Sequence, residues 1–337
     1  MKKIESAKKE YSSLIDSIGM LLEQGRKQAY RAIDSILVKT YWEIGKQVVE
    51  YEQGGREKAE YGSALLDTLS KDLKRRYGKG FSRSNLYLMR QFYLKYPIIQ
   101  TASGKLSWSH YSELLSIDDD MARQFYEKQS IKEKWSVREL KRQINTSLFQ
   151  RIALSKDKKG VLEISMQGIV LDEAKDMVKD PYVLEFLNIP EHYRYSEKEL
   201  EERIIDNLQM FLLELGRGFA FVKRQFRITL DNNSYYVDLV FYHRILRCFV
   251  LIDLKIGKVN HTDIGQMNMY LNYFKEEENV PEDSSPVGII LSAEKDAFLV
   301  KYALGGISNH LFVSKYQLYL PDKKMLENKL RDILDNK

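Results

Sequence analysis

The stretch 248-CFVLIDLKIGKVNHTDIGQMNMYL-271 begins like a buried strand but carries charged side chains. Its first part is rich in Phe, Val, Leu and Ile, yet Asp253 and Lys255 lie within it, two positions apart. Because side chains alternate between the two faces of a sheet, both residues point to the same face. A buried charge needs a partner or a metal, so this strand marks the candidate site.

The segment before this strand supplies a second carboxylate. Apolar runs between residues 219 and 255 are separated by turns, which predicts three strands joined by hairpins. If the second hairpin is symmetric about residues 245 and 246, Asp238 lies opposite Asp253, with Cβ atoms about 5 Å apart. Two carboxylates this close repel each other and are costly to bury.

A divalent cation resolves this conflict. Mg²⁺ prefers oxygen ligands and usually takes one or two carboxylates together with a phosphate. Lys255 would then hold or help to activate an attacking water. The alternative is an ion pair between one acid and Lys255, or a nearby arginine, on a wet sheet face. For either acid alone that alternative is favoured, whereas the opposed pair with a lysine, in otherwise apolar strands, favours the metal site.

Composition narrows the class of protein. The chain has 337 residues, 44% of them apolar and 30% charged, with six prolines, which suggests two folded domains. Its one cysteine, Cys248, excludes disulfides within the chain and a cysteine zinc site, and favours a reducing cytoplasm. The segment MKKIESAKKEYSS has no apolar core and no 18-residue apolar run follows, so we expect neither secretion nor a membrane span.

Charge is distributed unevenly along the chain. Residues 1–150 carry 27 Lys and Arg against 19 Asp and Glu, whereas residues 151–337 carry 26 against 29. The segment 71–90 holds seven basic residues and one acid. A solvated helix face accounts for such a run in most proteins. A basic front half with an acidic back half also fits a protein that holds a polyanion with one part and acts on it with another.

The pattern of apolar residues predicts three regions. Residues 1–152 indicate a helical domain, of the helix-turn-helix or winged-helix kind, with a break at Gly54 and Gly55. Residues 153–180 are predicted as a linker region. Residues 181–337 are predicted to form a second domain in the order α-β-β-β-α-β, which begins with one long helix over 197–216 and includes a further helix over 294–304.

At these residues the sequence resembles a known family. An Asp on one strand, a hairpin and then Asp-x-Lys is similar to the PD-(D/E)XK nuclease superfamily. The stretches FLLELGRGFAFVKRQ, VDLVFYHRILRCFVLIDLK and GQMNMYL resemble the YhcG family of bacterial nucleases, and YWEIGK, GKGFSRSNLYLMRQFY, LSWSHYSELL and WSVREL resemble its N-terminal domain. The resemblance covers nearly the whole chain. It implies a restriction-endonuclease-like α+β or α/β fold with a mixed sheet, and a metal-dependent hydrolase.

The resemblance also implies roles for particular residues. Asp238 and Asp253 match the two acids that bind the catalytic metal, and Lys255 matches the lysine that assists hydrolysis. The family usually has Glu where this chain has Asp253, which puts the metal geometry in doubt. The superfamily often adds an acid from the preceding helix, and Glu201 fits best, with Glu197, Glu199 and Glu202 as competitors. Each could instead be a first-turn acid favoured by the helix dipole.

Further residues are expected around this centre. Gln266 and Tyr270 are four apart, hence on one helix face, and resemble the Gln-x-x-x-Tyr element of RecB-like nucleases; the alternative is an ordinary helix surface. Arg224 and Gln225 are predicted to reach the nucleic-acid backbone, and His243 is predicted at the surface or against a phosphate. The residues predicted to bind phosphates in the front half are Lys74, Arg75, Arg76, Lys79 and Arg83.

The sequence therefore predicts a cytoplasmic nuclease that uses Mg²⁺, with Mn²⁺ as a substitute, and acts on nucleic acid, in the first place DNA. Two alternatives remain: a non-catalytic nucleic-acid-binding or assembly protein on a nuclease-like scaffold, and a helical interaction module joined to an α/β domain of other function. A homodimer is an open expectation, because cutting two strands needs two sites.

Overall fold

The computed structural model describes residues 2–53, 65–98, 105–154, 156–190, 193–294 and 310–335. The chain forms two compact units. One consists of residues 1–123 with 134–140, and the other of residues 124–133 with 141–337.

The first unit is helical in its described residues. Its elements are α1 (Lys2–Gln53), α2 (Leu65–Tyr77), α3 (Arg83–Lys95) and α4 (Trp108–Leu114). Helix α3 packs on the second half of α1, where Gly45 permits a close approach, since a Cβ there would lie 2.0 Å from the Met89 carbonyl oxygen. No strand, and hence no β wing, occurs among the described residues of this unit. The helix-turn-helix assignment stays a prediction, and the predicted break at Gly54 and Gly55 lies outside the described residues.

Five helices follow in the chain before the first strand. They are α5 (Asp120–Glu133), α6 (Val137–Asn145), α7 (Leu148–Ala153), α8 (Lys158–Gln167) and α9 (Ala174–Met177). Residues 141–152 belong to the second unit because Arg142 and Arg151 both form ion pairs with Glu214. The region predicted as a linker contains α8 and α9. The domain bounds 1–152, 153–180 and 181–337 themselves stay a prediction.

The second unit is built on a mixed sheet of six strands in the order β1-β6-β5-β4-β3-β2. Strands β2, β3 and β4 pair antiparallel as two hairpins, and the remaining neighbours pair parallel. The strands are β1 (Tyr182–Val183), β2 (Phe219–Leu230), β3 (Asn233–His243), β4 (Cys248–Lys258), β5 (Val287–Glu294) and β6 (Leu311–Gln317). The helices are α10 (Glu197–Asp206), α11 (Leu208–Leu215), α12 (His261–Tyr273) and α13 (Lys323–Asp335), with a 3₁₀ turn at Glu185–Leu187 and a π turn at Phe274–Glu278. The chain is therefore α+β.

One predicted element needs correction. The single helix over 197–216 is two helices, because Asn207 leaves helical geometry at φ −115° and ψ 29° and its side chain donates to the Arg203 carbonyl oxygen. Ser196 caps the start of α10 by accepting from the Glu199 N–H, and Gly216 ends α11 at φ 109°. The helix predicted over 294–304 lies outside the described residues except at Glu294.

An apolar core covers each face of the sheet. On one face, α10 and α11 bury Leu200 and Phe211 against strand residues such as Ile252. On the other face, α12 buries Met267 against Leu251. Since Asp253 shares the face of Leu251 by alternation, it lies on the α12 side of the sheet. Across the described part of the chain, no helix combines the length and apolar character that a membrane span requires.

Candidate active site

The hairpin of β3 and β4 has the predicted register. Leu239 pairs with Ile252 and Val240 with Leu251, so Asp238 lies opposite Asp253. The two carboxyls are close enough for each to influence the pKa of the other. The strands therefore bring together two acids that are 15 positions apart in the chain.

Both acids are held firmly by the surrounding backbone and side chains. Asp253 is only 4% exposed. Asp238 accepts hydrogen bonds at both oxygens, at Oδ2 from the Leu254 N–H (2.8 Å) and at Oδ1 from Gln225 Nε2 (3.0 Å). These two donors fix the plane of the Asp238 carboxylate and orient it toward Asp253.

The pair resists carrying two negative charges. Burial raises the pKa of Asp253 to about 7, and the neighbouring charge of Asp238 adds to the effect. Burial also raises the pKa of Asp238, against the hydrogen bond from Leu254. Two carboxyls in one dry site disfavour each other's ionisation, so a cation placed between them would be bound favourably.

Lys255 already supplies one positive charge. Its Nζ lies 2.9 Å from Asp253 Oδ2, 3.9 Å from Glu197 Oε2 and 4.0 Å from Asp263 Oδ1. Burial alone would lower the pKa of this lysine, but the surrounding carboxylates, led by Asp253, outweigh burial and raise the pKa. Lys255 is therefore charged and directed into the site.

Asp263 was not identified from the sequence. It stands at the third position of α12, where its side chain accepts from the Asn260 N–H in a capping box. The pattern Asn-x-x-Asp directly after β4 was the available signal, because a helix that begins there places its first-turn acid beside the strand end.

Glu201 on α10 is buried at the edge of this group. Its carboxylate forms an ion pair with Arg224 Nε (2.7 Å) and accepts from Gln225 Nε2 (2.5 Å). Gln225 adopts φ +47° and thereby donates to Glu201 and Asp238 at once. Sequence reasoning placed Arg224 and Gln225 on nucleic acid, whereas the structure gives both side chains acidic partners within the protein; Arg224 also lies 3.7 Å from Glu202.

Gln266 and Tyr270 lie on the face of α12 that covers the sheet. The Tyr270 side chain is fully buried, its hydroxyl donates to the Tyr236 carbonyl oxygen (3.0 Å), and it accepts from Gln266 Nε2. Burial raises the pKa of Tyr270, and the charges of Asp253 and Asp238 contribute to this. Tyr270 is thus a neutral, hydrogen-bonded side chain that lines the α12 side of the acid pair.

His243 requires a correction. The sequence suggested a surface or phosphate-contacting residue, but the side chain is fully buried, with Nε2 hydrogen-bonded to the Arg217 carbonyl oxygen (3.0 Å) and Nδ1 accepting from the Leu246 N–H (3.2 Å). Burial lowers its pKa. His243 is a neutral structural residue of the β3–β4 hairpin.

The predicted phosphate-binding residues of the first unit are exposed. They lie at the end of α2 and at the start of α3, around a turn in which Gly78 and Gly80 have positive φ. Arg75 forms an exposed ion pair with Asp72, and Arg83 forms one with Asp67. The exposed basic residues are Lys74, Arg75, Arg76, Lys79 and Arg83.

The acidic side chains of this group differ in whether they could bind a metal ion. Within the residues that the structure describes, no three His, Cys, Asp or Glu side chains are arranged to hold one together. Glu201 accounts for this, since Arg224 and Gln225 occupy its carboxylate. The opposed pair of Asp238 and Asp253 still fits Mg²⁺, which commonly takes one or two carboxylates and completes its shell with water and phosphate.

Two protein families and a related protein match most of the chain. Residues 175–331 match the family described as YhcG PDDEXK nuclease domain, and residues 17–151 match the family described as DUF1016 N-terminal domain. Over 352 aligned residues, the chain is 42% identical to a protein of Escherichia coli (strain K12) named "Putative nuclease YhcG". The alignment covers 95% of this chain and 93% of the relative.

Similarity to solved structures is partial. A repair endonuclease from Pyrococcus abyssi aligns at 23% identity and a TM-score of 0.27, covering 39% of this chain and 50% of that one. The EndoMS-dsDNA2 complex aligns at 17% identity and a TM-score of 0.28, covering 40% and 51%. The chain spans about half the length of each of these structures.

Proposed function

The chain belongs to the YhcG family, with a DUF1016 N-terminal domain and a PD-(D/E)XK nuclease domain, and from this premise we propose that it is a Mg²⁺-dependent nuclease that hydrolyses phosphodiester bonds of nucleic acid, in the first place DNA. The observation that carries the proposal is the opposed pair of the partly buried Asp238 and the buried Asp253, with the Lys255 ammonium 2.9 Å from Asp253 on the same strand. A purely structural ion pair with Lys255 needs only one acid. The second acid adds a negative charge that a metal cation can balance.

The side chains have distinct tasks in this proposal. Lys255 keeps N–H groups free beyond its contact with Asp253, so its ammonium can orient an attacking water and face the negative charge that develops on the phosphate. The Gln225 amide and the Leu254 N–H hold Asp238 in place. Tyr270 and the apolar strand residues keep bulk water away from the acid pair, which strengthens every electrostatic contact inside.

Asp238 and Asp253 are the residues that would hold Mg²⁺, with Mn²⁺ as a substitute. When bound, the ion polarises the scissile phosphate and lowers the pKa of a bound water. Glu201 is assigned a positioning task instead, because it anchors Gln225, which in turn orients Asp238.

The decisive experiment is a cleavage assay on single-stranded and duplex DNA and RNA with Mg²⁺, Mn²⁺ or EDTA. We expect cleavage of at least one DNA substrate with either metal and none in EDTA. The matched control is Asp206→Asn, which removes an acid at the end of α10 and should cut at the wild-type rate, whereas Asp253→Asn should be inactive. Cleavage of equal rate in wild type and Asp253→Asn would overturn the assignment of the site.

The exposed basic residues of α2 and α3 are proposed to hold the phosphate backbone. Each phosphate contact releases counterions, so losing one lowers the slope of log affinity against log salt by roughly one unit. Arg75→Ala with Arg76→Ala should weaken DNA binding at low salt and flatten that slope. Lys324→Ala with Lys329→Ala removes the same charge from exposed positions of α13 and serves as the control, for which the slope should not change.

A second candidate function is binding without cleavage. It is favoured by one observation, the position of the Lys255 ammonium within 4.0 Å of three carboxylates, which would suit a purely structural centre. Tight DNA binding with no cleavage in any metal would select this alternative. The single buried cysteine fits the reducing cytoplasm, which we propose as the site of action.

A further inference from the structure

The first two thirds of α1 expose many large apolar side chains, and one side of the helix carries a continuous row of them. Tyr11, Leu14, Leu22 and Ile36 are between 55% and 65% exposed. Contiguous apolar surface of this kind marks an interaction site. Further along the same helix, Trp42 is buried where α1 packs on α3, whereas the earlier turns are exposed on other sides as well, as Met20 and Tyr30 show.

The exposed positions form a regular seam. From Tyr11 to Ile36, eight nonpolar positions follow one another in steps of 3, 4, 4, 3, 4, 4 and 3, and this series does not include the apolar residues Ile15, Met20, Leu21 and Tyr30. Steps of 3, 4 and 4 average about 3.67 residues per turn, close to the α-helix itself, so the seam runs nearly straight within an arc of about 100°. The members of the seam are Tyr11, Leu14, Ile18, Leu22, Gly25, Ala29, Ile33 and Ile36.

This series of steps reads the same in both directions along the helix. A two-fold axis perpendicular to α1, between Glu23 and Gln24, maps each seam position onto another seam position. Tyr11 is then opposite Ile36, and Leu14 is opposite Ile33. Isologous dimers require this property, since the same patch must complement itself.

The sizes of the side chains also complement one another near the axis. Ile18 is opposite Ala29, and Leu22 is opposite Gly25. A large residue facing a small one allows two helices to interdigitate at close distance. An unrelated partner would not require the seam to be symmetric, and a lipid surface would not require alternation of size.

We propose that α1 is a homodimerisation element, which pairs with α1 of a second copy of this chain in an antiparallel arrangement through this seam. The seam extends over about 38 Å at 1.5 Å per residue. Together with flanking side chains, a helical contact of this length buries on the order of 800 Å² per partner, the area that stable interfaces bury. The assembly carries two copies of the Asp253 site, as cleavage of two strands requires.

Sedimentation of the full chain tests the surface. The wild type should sediment as a dimer at micromolar concentration, and Leu22→Glu with Ile33→Glu should sediment as a monomer, because four charges then lie in the seam of the pair. Met20→Glu is the matched control, since Met20 is 67% exposed but lies on the opposite side of α1, and this variant stays dimeric. Circular dichroism of each variant establishes that α1 remains helical.

A charge pair tests the antiparallel register. Ile18→Glu alone and Ala29→Lys alone each weaken the dimer, whereas the double variant restores it, because the introduced charges face each other twice across the axis. This rescue cannot come from a misfolded protein, and it does not depend on nuclease activity. A monomeric wild type, a dimer that survives Leu22→Glu with Ile33→Glu, a double variant that stays monomeric, or wild type that instead floats with anionic vesicles through these positions overturns the proposal.

Discussion

Two buried acid clusters of the second unit differ in the balance of their charges. Glu214 on α11 is surrounded by cations: Arg142 at 2.9 Å, Arg151 at 2.8 Å and the Lys179 ammonium, which donates to the Glu214 carbonyl oxygen. Asp253 has one cation at 2.9 Å and a second carboxylate opposite. The Glu214 cluster therefore contains more positive than negative side chains, whereas the pair of Asp238 and Asp253 faces one positive side chain at close distance.

The pKa values follow this balance. Burial would raise the pKa of Glu214, but Arg151, Lys179 and Arg142 outweigh burial and lower it to about 2. Burial and Asp238 raise the pKa of Asp253 to about 7. Two similarly buried acids therefore have opposite pKa shifts, and this difference supports the proposal that the first is part of a stabilising network and the second part of a cation site.

The largest effect is expected for Glu214→Gln. This change removes the charge that Arg142, Arg151 and Lys179 share, although Arg142 keeps its ion pair with Glu185. Breaking a buried network of this kind destabilises a fold by about 3–5 kcal/mol. Thermal and denaturant unfolding measure it. Glu173→Gln removes an exposed ion pair with Lys175 and should change stability by less than about 1 kcal/mol. Equal destabilisation by both variants would mean that the Glu214 network contributes no more to stability than an exposed ion pair.

The next largest effect concerns the acid-rich cluster. Lys255→Met keeps the length of the side chain but removes its charge, and loss of one transition-state donor typically lowers a rate by about 10²–10³-fold. Cleavage should fall by this amount while DNA binding is retained, because the proposed task of Lys255 lies in the transition state. Lys258→Met, at an exposed position of the same strand, is the control. A wild-type cleavage rate in Lys255→Met contradicts the proposed mechanism.

Acid should weaken the cation-rich cluster selectively. The folded-state pKa of Glu214, about 2, lies below the usual value of about 4.3 in an unfolded chain, so its stabilisation is complete above the unfolded value and is lost as the pH falls through the folded one. The shift corresponds to about 3 kcal/mol. Unfolding measured between pH 5 and 2 should show this loss in wild type and a shallower slope in Glu214→Gln; identical slopes would refute it.

The smallest of these effects is metal-linked stability. A ligand that binds only the folded state stabilises it by about 2.7 kcal/mol at 100 times its Kd. Mg²⁺ or Mn²⁺ should therefore raise the Tm of wild type, and Asp253→Asn should largely abolish the rise. Glu214→Gln lowers the Tm but should retain the metal-dependent increase. A rise of equal size in Asp253→Asn would place the metal elsewhere.

Much of this site could be predicted from local sequence. The register that opposes Asp238 and Asp253 follows from one symmetric hairpin, whose loop of residues 244–247 leaves only one pairing. Strands β2, β3 and β4 follow one another from residue 219 to residue 258, where the sequence predicts three strands joined by hairpins. Both predictions depend on neighbouring residues, which is why composition and spacing were sufficient.

The partners of these residues could not be predicted in the same way. Gln225 was expected on nucleic acid, but a positive φ turns its amide toward Glu201 and Asp238. Asn207 interrupts what reads as one helix, and His243 is buried in a hairpin that appeared exposed. Each outcome depends on contacts with residues that are distant in the chain or on a single backbone angle, and a linear pattern contains neither.

The sequence by itself indicated the family, through the stretches that resemble it, and placed Asp238 opposite Asp253 with Lys255 on the same face, because alternation and hairpin symmetry are local rules. Only the tertiary structure decided which of two carboxylates, Glu214 or Asp253, is surrounded by cations. Glu214 and Asp253 are both acids in apolar surroundings, and nothing adjacent to them in sequence distinguishes their roles. The distinction arises when folding brings Arg142 and Arg151 to one and Asp238 to the other, since electrostatic energy depends on distance in space and on burial.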